Sequence, residues 1–192
     1  MAALFAFAVA TTSVADARPL APPTGNRQGL ALLARVNRAY VRVPAVTIWG
    51  HAGTFAFRFK VLLRSDVIVG EEYTGSGPGG TTELVRHQGS PTFAREPGSA
   101  CWRQLGASNQ QALEDIGLRF PDQPHMRVQQ PRRTRSGWLL PVVGDGGQTV
   151  FTIDAKSMLL RSIKVASAGK QVLEHVSALR SAPILLTPQP HC

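Results

Sequence analysis

From Gln28 to Val43 apolar residues recur at helical spacing, as Leu30, Leu33, Val36, Tyr40 and Val43, while Arg35, Arg38 and Arg42 gather on the opposite face. The pattern predicts an amphipathic helix that Pro44 ends, because a proline disfavours helical backbone at the residue before it. After Val46 the period changes from that of a helix to two. In Thr54 to Leu63, Phe55, Phe57, Phe59, Val61 and Leu63 fall on one face, with Ala56, Arg58 and Lys60 on the other, which is the signature of a strand. Further short strands are expected at Val67–Tyr73, Thr82–His87, Thr92–Arg95, Ala100–Gln104, His125–Gln130, Gly137–Val143, Thr149–Asp154, Met158–Val165 and Gln171–Ser181. The turns between them read as Arg64–Asp66, Gln88–Ser90, Gly144–Gly147, Ala155–Ser157 and Ala168–Gly169, and the glycine-rich Gly75–Gly80 reads as a flexible hairpin loop. One further helix is expected where Ser108 and Gln111 form a capping box ahead of Leu113, Ile116 and Leu118, with Pro121 as its stop. Hairpin-length spacing of this kind argues for an α+β fold: an antiparallel sheet with few helices rather than a doubly wound parallel one.

The all-Phe strand face, together with Trp49, Trp102, Trp138 and Phe151 on other segments, carries more aromatic area than a single sheet layer hides unless something covers that face. Two readings follow with equal standing. Either the sheet curves and fills itself with side chains and helix, or it leaves an apolar cleft that takes a ligand. On the second reading the lining residues are Trp49, Phe55, Phe57, Phe59, Val61, Trp138 and Phe151.

The chain's ends place it in a compartment. Met1 to Val14 is an uncharged apolar run followed by Ala15-Asp16-Ala17, a small-x-small cleavage pattern, so residues 1–17 read as a signal peptide and the protein as exported to the periplasm or the extracellular space. The run is too short to cross a bilayer, which takes about 20 apolar residues. No cysteine follows the cleavage site, so no lipid anchor is expected. Residues 18–27 read as an extended leader, 28–183 as the domain, and the proline-rich 184–192 as a tail crossing its surface. In an oxidising compartment the two cysteines, Cys101 and Cys192, are expected to form one disulfide tying that tail down.

Motifs for chemistry are scarce, and a non-enzymatic protein without cofactor or metal is expected. The serines near Gly75–Gly80 lack the setting of a nucleophile elbow, and no Lys-Ser/Thr pair makes that segment a phosphate loop. His51, His87, His125, His175 and His191 are scattered, and Glu71, Glu72 and Asp154 are the carboxylates from which an acid–base pair would have to be built. The 192 residues hold 21 Lys+Arg against 12 Asp+Glu, a net charge of +9, and all but four of the cations are arginine. The densest cluster, Pro131-Arg132-Arg133-Thr134-Arg135, lacks the interleaved aromatic residues that single-strand binders use and reads as a solvated hairpin. Nucleic acid is not expected as a partner outside the cytoplasm. An anionic membrane surface and a membrane-anchored protein remain as partner classes.

The order of these segments resembles the LolA/LppX-type fold of bacterial periplasmic lipoprotein and lipid carriers: an N-terminal helix with a late tyrosine (Leu30 to Tyr40), the Phe-rich strand, an inserted helix, then the strand–turn–strand run Phe151-Thr-Ile-Asp-Ala-Lys-Ser-Met-Leu-Leu-Arg161. The resemblance covers about Gln28 to Pro183. It implies a curved antiparallel sheet, an incomplete β-barrel wrapped over a small number of helices, whose apolar cavity holds a lipid or lipoprotein acyl chain. Regulatory proteins of the RseB anti-sigma type share this architecture, so an envelope-stress protein-interaction module is the alternative it implies. The missing lipobox cysteine departs from the lipoprotein members, and Cys101 with Cys192 has no counterpart in the carrier pattern.

Overall fold

A computed structural model describes residues 24–64, 67–105, 127–144, 147–167 and 170–188. The expected signal peptide, most of the expected leader, the second helix expected at Ser108, and Cys192 lie outside these residues. The chain starts with β1 (Thr24–Gly25) and α1 (Arg27–Tyr40). The last residues of the supposed leader are thus part of the fold. Asn26 caps α1: its side-chain oxygen accepts from the backbone N–H groups of Gln28 and Gly29 at 3.0 and 3.1 Å, satisfying two donors that a helix start leaves open.

Twelve further strands follow: β2 (Ala45–Ala52), β3 (Phe55–Arg64), β4 (Val67–Gly77), β5 (Gly80–His87), β6 (Phe93–Arg95), β7 (Arg103–Gln104), β8 (Arg127–Val128), β9 (Arg132–Arg133), β10 (Gly137–Gly144), β11 (Gly147–Asp154), β12 (Leu160–Ser167) and β13 (Lys170–Leu179). They make one sheet in the order β1-β8-β10-β11-β12-β13-β2-β3-β4-β5-β6-β7, with β9 also on β10. Every pairing is antiparallel except β1 with β8. The two ends of the sheet do not meet, so it is an open curved sheet and not a closed barrel.

Residues paired across antiparallel strands share a face, so the register sorts the side chains. On the inner face stand Val128, Val142, Leu140, Phe151, Ile153, Leu160, Val176, Ile48, Val46 and Val61, and against them α1 buries Leu32, Leu33, Val36 and Tyr40 in one contiguous core. The tyrosine hydroxyl at the end of α1 accepts a 3.2 Å bond from the N–H of Leu160. Burial pushes the pKa of that hydroxyl up to about 12, partly offset by the bond. Tyr40→Phe leaves the Leu160 N–H buried without a partner and should cost about 1–2 kcal/mol in urea unfolding. An unchanged midpoint would show that the bond does not pin α1 to β12.

Two expectations need correction. Gly75–Gly80 is not a flexible loop, because β4 runs to Gly77 and β5 starts at Gly80, leaving Pro78-Gly79 as a two-residue turn. Pro131–Arg135 is not wholly loop either: Arg132–Arg133 form β9, and the Arg133 guanidinium lies 5.1 Å from the ring centre of Trp138. Residues 182–188 add no strand, and Leu185 is buried on the outer face against Gly70 and Leu62.

Candidate functional site

The inner face extends beyond the part that α1 covers. Along β3, Leu63 and Val61 are in the buried core and Phe59 packs at its margin, while Phe57 and Phe55 lie outside it and stay half-buried. Register adds Tyr73 opposite Phe59 and Leu84 opposite Tyr73. The rings form a continuous floor: Phe57 to Phe59 at 5.8 Å edge-on, and Phe59 to Tyr73 at 4.6 Å tilted.

Two glycines let these rings lie along the sheet. A Cβ on Gly50 would fall 2.9 Å from the Phe57 ring and 2.6 Å from the Leu173 carbonyl oxygen. At Gly75 a Cβ would collide with the Phe55 ring and the Tyr73 hydroxyl. Glycine inside a strand weakens it, and here its lack of a side chain gives the aromatic rings a seat.

Two carboxylates edge this floor. Glu71, opposite Val61 and therefore on the inner face, is buried and takes a 2.7 Å ion pair from Arg86. Glu174 stands opposite Gly50 and Ile163, and burial raises its pKa above the ordinary glutamate range. The protonated form of Glu174 therefore suits the fold better than the charged form. Its contribution to stability is complete at low pH and is lost as pH rises through the raised pKa. Glu174→Gln removes that loss, so the variant's Tm should exceed the parent's at neutral pH and match it below the ordinary glutamate range. A Tm difference that does not change with pH would contradict this.

The residues expected to line a cleft divide into three groups. Phe55, Phe57 and Phe59 belong to the half-buried floor. Val61 and Phe151 share its face but are core residues under α1, and Trp138, on the same face, packs at the core's margin. Trp49 is a correction: it pairs with His175 and Arg58 on the outer face, is 37% exposed, and stacks on the His175 ring at 5.6 Å. Tyr73, Gly50, Gly75 and Glu174 were missed, since which strands pair, and in what register, decides that they meet.

The carboxylates named for acid–base chemistry do not converge. Glu71 and Glu72 are neighbours on one strand and so point to opposite faces, Glu72 binding Lys60 at 2.6 Å and the N–H of Leu186 at 2.9 Å. Asp154 sits in the β11–β12 turn, where the N–H and hydroxyl of Ser157, the N–H of Lys156 and the Arg161 guanidinium hold its carboxyl well below the usual range. Among the described residues no group of three or more His, Cys, Asp or Glu is placed to hold a metal, and no helix is long and apolar enough to cross a membrane. Two open clefts are described. One, of about 520 Å³, is lined by Gln129, Pro131, Arg132, Pro141, Val143 and Gln148, and the other, of about 550 Å³, by Arg35, Arg38, Ala39, Arg42, Ser157 and Met158. Neither opens onto the aromatic floor.

No family model matches the chain, and no curated protein matches it in sequence. Solved structures do match in shape. LprF from Mycobacterium bovis superposes with a TM-score of 0.50 at 11% identity, over 87% of this chain and 99% of its own. The Mycobacterium tuberculosis lipoprotein LppX superposes with a TM-score of 0.52 at 10% identity, over 80% of this chain and 95% of its own. The open antiparallel sheet with α1 on its inner face is the LolA/LppX-like fold.

Proposed function

We propose that this chain is an exported, non-enzymatic binding protein that holds a lipid or lipoprotein acyl chain against the inner face of its sheet, on the floor of Phe55, Phe57, Phe59 and Tyr73. The observation that carries this reading is the half-buried state of that cluster on the face that elsewhere forms the core. Aromatic rings left partly in water keep apolar area for a partner to cover. Each methylene buried there contributes about 0.8 kcal/mol, so ten give about 8 kcal/mol before ordering costs, and no reacting group is needed for useful affinity.

A brominated fatty acid tests the face as well as the binding. Bromine quenches tryptophan at short range, so in a Phe57→Trp variant the chain should extinguish the added emission while Trp49, on the other side of the same sheet, keeps its own. Equal quenching of both, or of neither, would contradict the reading.

The export and disulfide expectations join this proposal. Between Leu185 and Leu186 the tail passes from β3 and β4 toward β5: Leu185 rests on Gly70 and Leu62, and the Leu186 carbonyl lies 3.2 Å from His87 Nε2. That is the direction of β7 and the half-buried Cys101. Two strand spacings are about 10 Å. Register also sets Cys101 about five residues along the strands from His87, so the gap is about 19 Å, and the six residues that follow Leu186 reach about 20 Å, which suffices for a bond to Cys101. Closing that loop contributes about 4 kcal/mol in the chain-entropy model. Peptide mapping without reductant should recover 101 linked to 192 in a mature chain beginning at Arg18, and alkylation of both thiols in exported protein would contradict it.

A further inference from the structure

The inner face buries one side of α1, and the other side has a composition of its own. Arg35, Arg38 and Arg42 are all exposed and follow one another along one line of the helix and the turn after it. Seven residues of helix rise about 10 Å, so the three guanidinium groups form a row and not a cluster. Among the described residues none of the three takes part in an ion pair. The row flanks the open cleft of about 550 Å³ whose far wall is the β11–β12 turn, with Ser157 and Met158.

That turn is held in one shape. Met158 has φ of +59°, unusual for a residue with a side chain, and its N–H donates to the Asp154 carbonyl at 3.0 Å. Asp154, the acid of this turn, has its carboxylate engaged by Ser157, the Lys156 N–H and Arg161. The turn therefore carries an exposed Lys156 and offers the arginine row no free carboxylate to neutralise it. Two apolar side chains lie among these cations: Val41, 47% exposed, and Met158, half-buried in the cleft.

We propose that the outer side of α1 and the β11–β12 turn form a docking surface for an anionic phospholipid bilayer. A row about 10 Å long suits several phosphates spread over a plane better than one small anion, and arginine's fork suits phosphate oxygens. Cations with apolar side chains between them are what an interfacial surface requires. The charge is complementary to an anionic leaflet, where each basic side chain near the surface strengthens binding about fivefold. The surface does not depend on the acyl-chain reading, because it lies on the side of α1 away from the aromatic floor.

Co-sedimentation of the full chain with vesicles tests it, using phosphatidylglycerol mixed with phosphatidylcholine against phosphatidylcholine alone. The parent chain should bind the mixed vesicles, weaken with added salt, and leave the neutral ones in solution. Arg35→Ala/Arg38→Ala/Arg42→Ala should bind about a hundredfold more weakly. Replacing the same residues with lysine should restore most of the binding, since the charge is kept. Arg127→Ala/Arg132→Ala/Arg135→Ala removes equal charge elsewhere and should change binding only a few-fold. Equal losses in the two alanine triples, retained binding in the helix triple, or no binding by the parent chain would each overturn the proposal. Phe57→Ser, which removes the acyl floor, should leave vesicle binding as it was, so failure of one reading does not mimic failure of the other.

Discussion

Phe57→Ser should weaken acyl-chain binding about thirtyfold while leaving the fold nearly intact. Covering a phenyl ring contributes about 2 kcal/mol, which is the factor lost when a bound chain no longer has the ring beneath it. Phe57 is half-buried and lies outside the contiguous core, so little packing is lost in the free protein. Trp49→Ser, an equally drastic change on the outer face of the neighbouring strand, should leave binding unchanged. Measured by displacement of a fluorescent fatty acid, a Trp49 effect equal to that of Phe57 would place the ligand elsewhere, and no Phe57 effect would remove the floor from the account.

Gly29→Ala should destabilise the protein by about 1–3 kcal/mol, opposite in sign to what helix propensity alone implies. Alanine is the better helix former by about 1 kcal/mol. Gly29, however, is buried in the first turn of α1, where an added Cβ would collide with the Gln129 carbonyl oxygen and Val128 Cγ1. A backbone oxygen cannot rotate away, so the helix must move off the β8 side of the sheet, at the cost usual for overfilled cores. Urea unfolding reads the sign directly. A stabilised Gly29→Ala would mean that α1 does not sit this close to the sheet.

What could be read from the amino acids alone follows from the range of the forces involved. The alternation Phe55, Phe57, Phe59, Val61 is legible because side chains on a strand alternate with period two, whatever the strand pairs with. The arginine side of α1 is legible for the same local reason at period 3.6. Trp49 shows where this stops. Its bulk suggests the aromatic face, but the tight connection between β2 and β3 puts Gly50 opposite Phe57, and Trp49 therefore opposite Arg58. Parity across a turn depends on register, a tertiary property. Gly75 misleads in another way: glycine ordinarily breaks strands, and only the pairing of β3 with β4 shows that it makes room for Phe55 and Tyr73. Glu174 and Glu71 look like surface residues in a sequence and become inner-face groups once β13 and β4 are set beside β2 and β3. β1 and β9, two residues each, are too short for any periodicity to announce.

The central claim is that the inner face takes an acyl chain, and native mass spectrometry of the full chain, purified gently from its own compartment and again after incubation with phospholipid, tests it most directly. The account predicts a species heavier by one lipid that Phe57→Ser diminishes and Trp49→Ser leaves in place. A chain that carries no lipid and takes none up would contradict it.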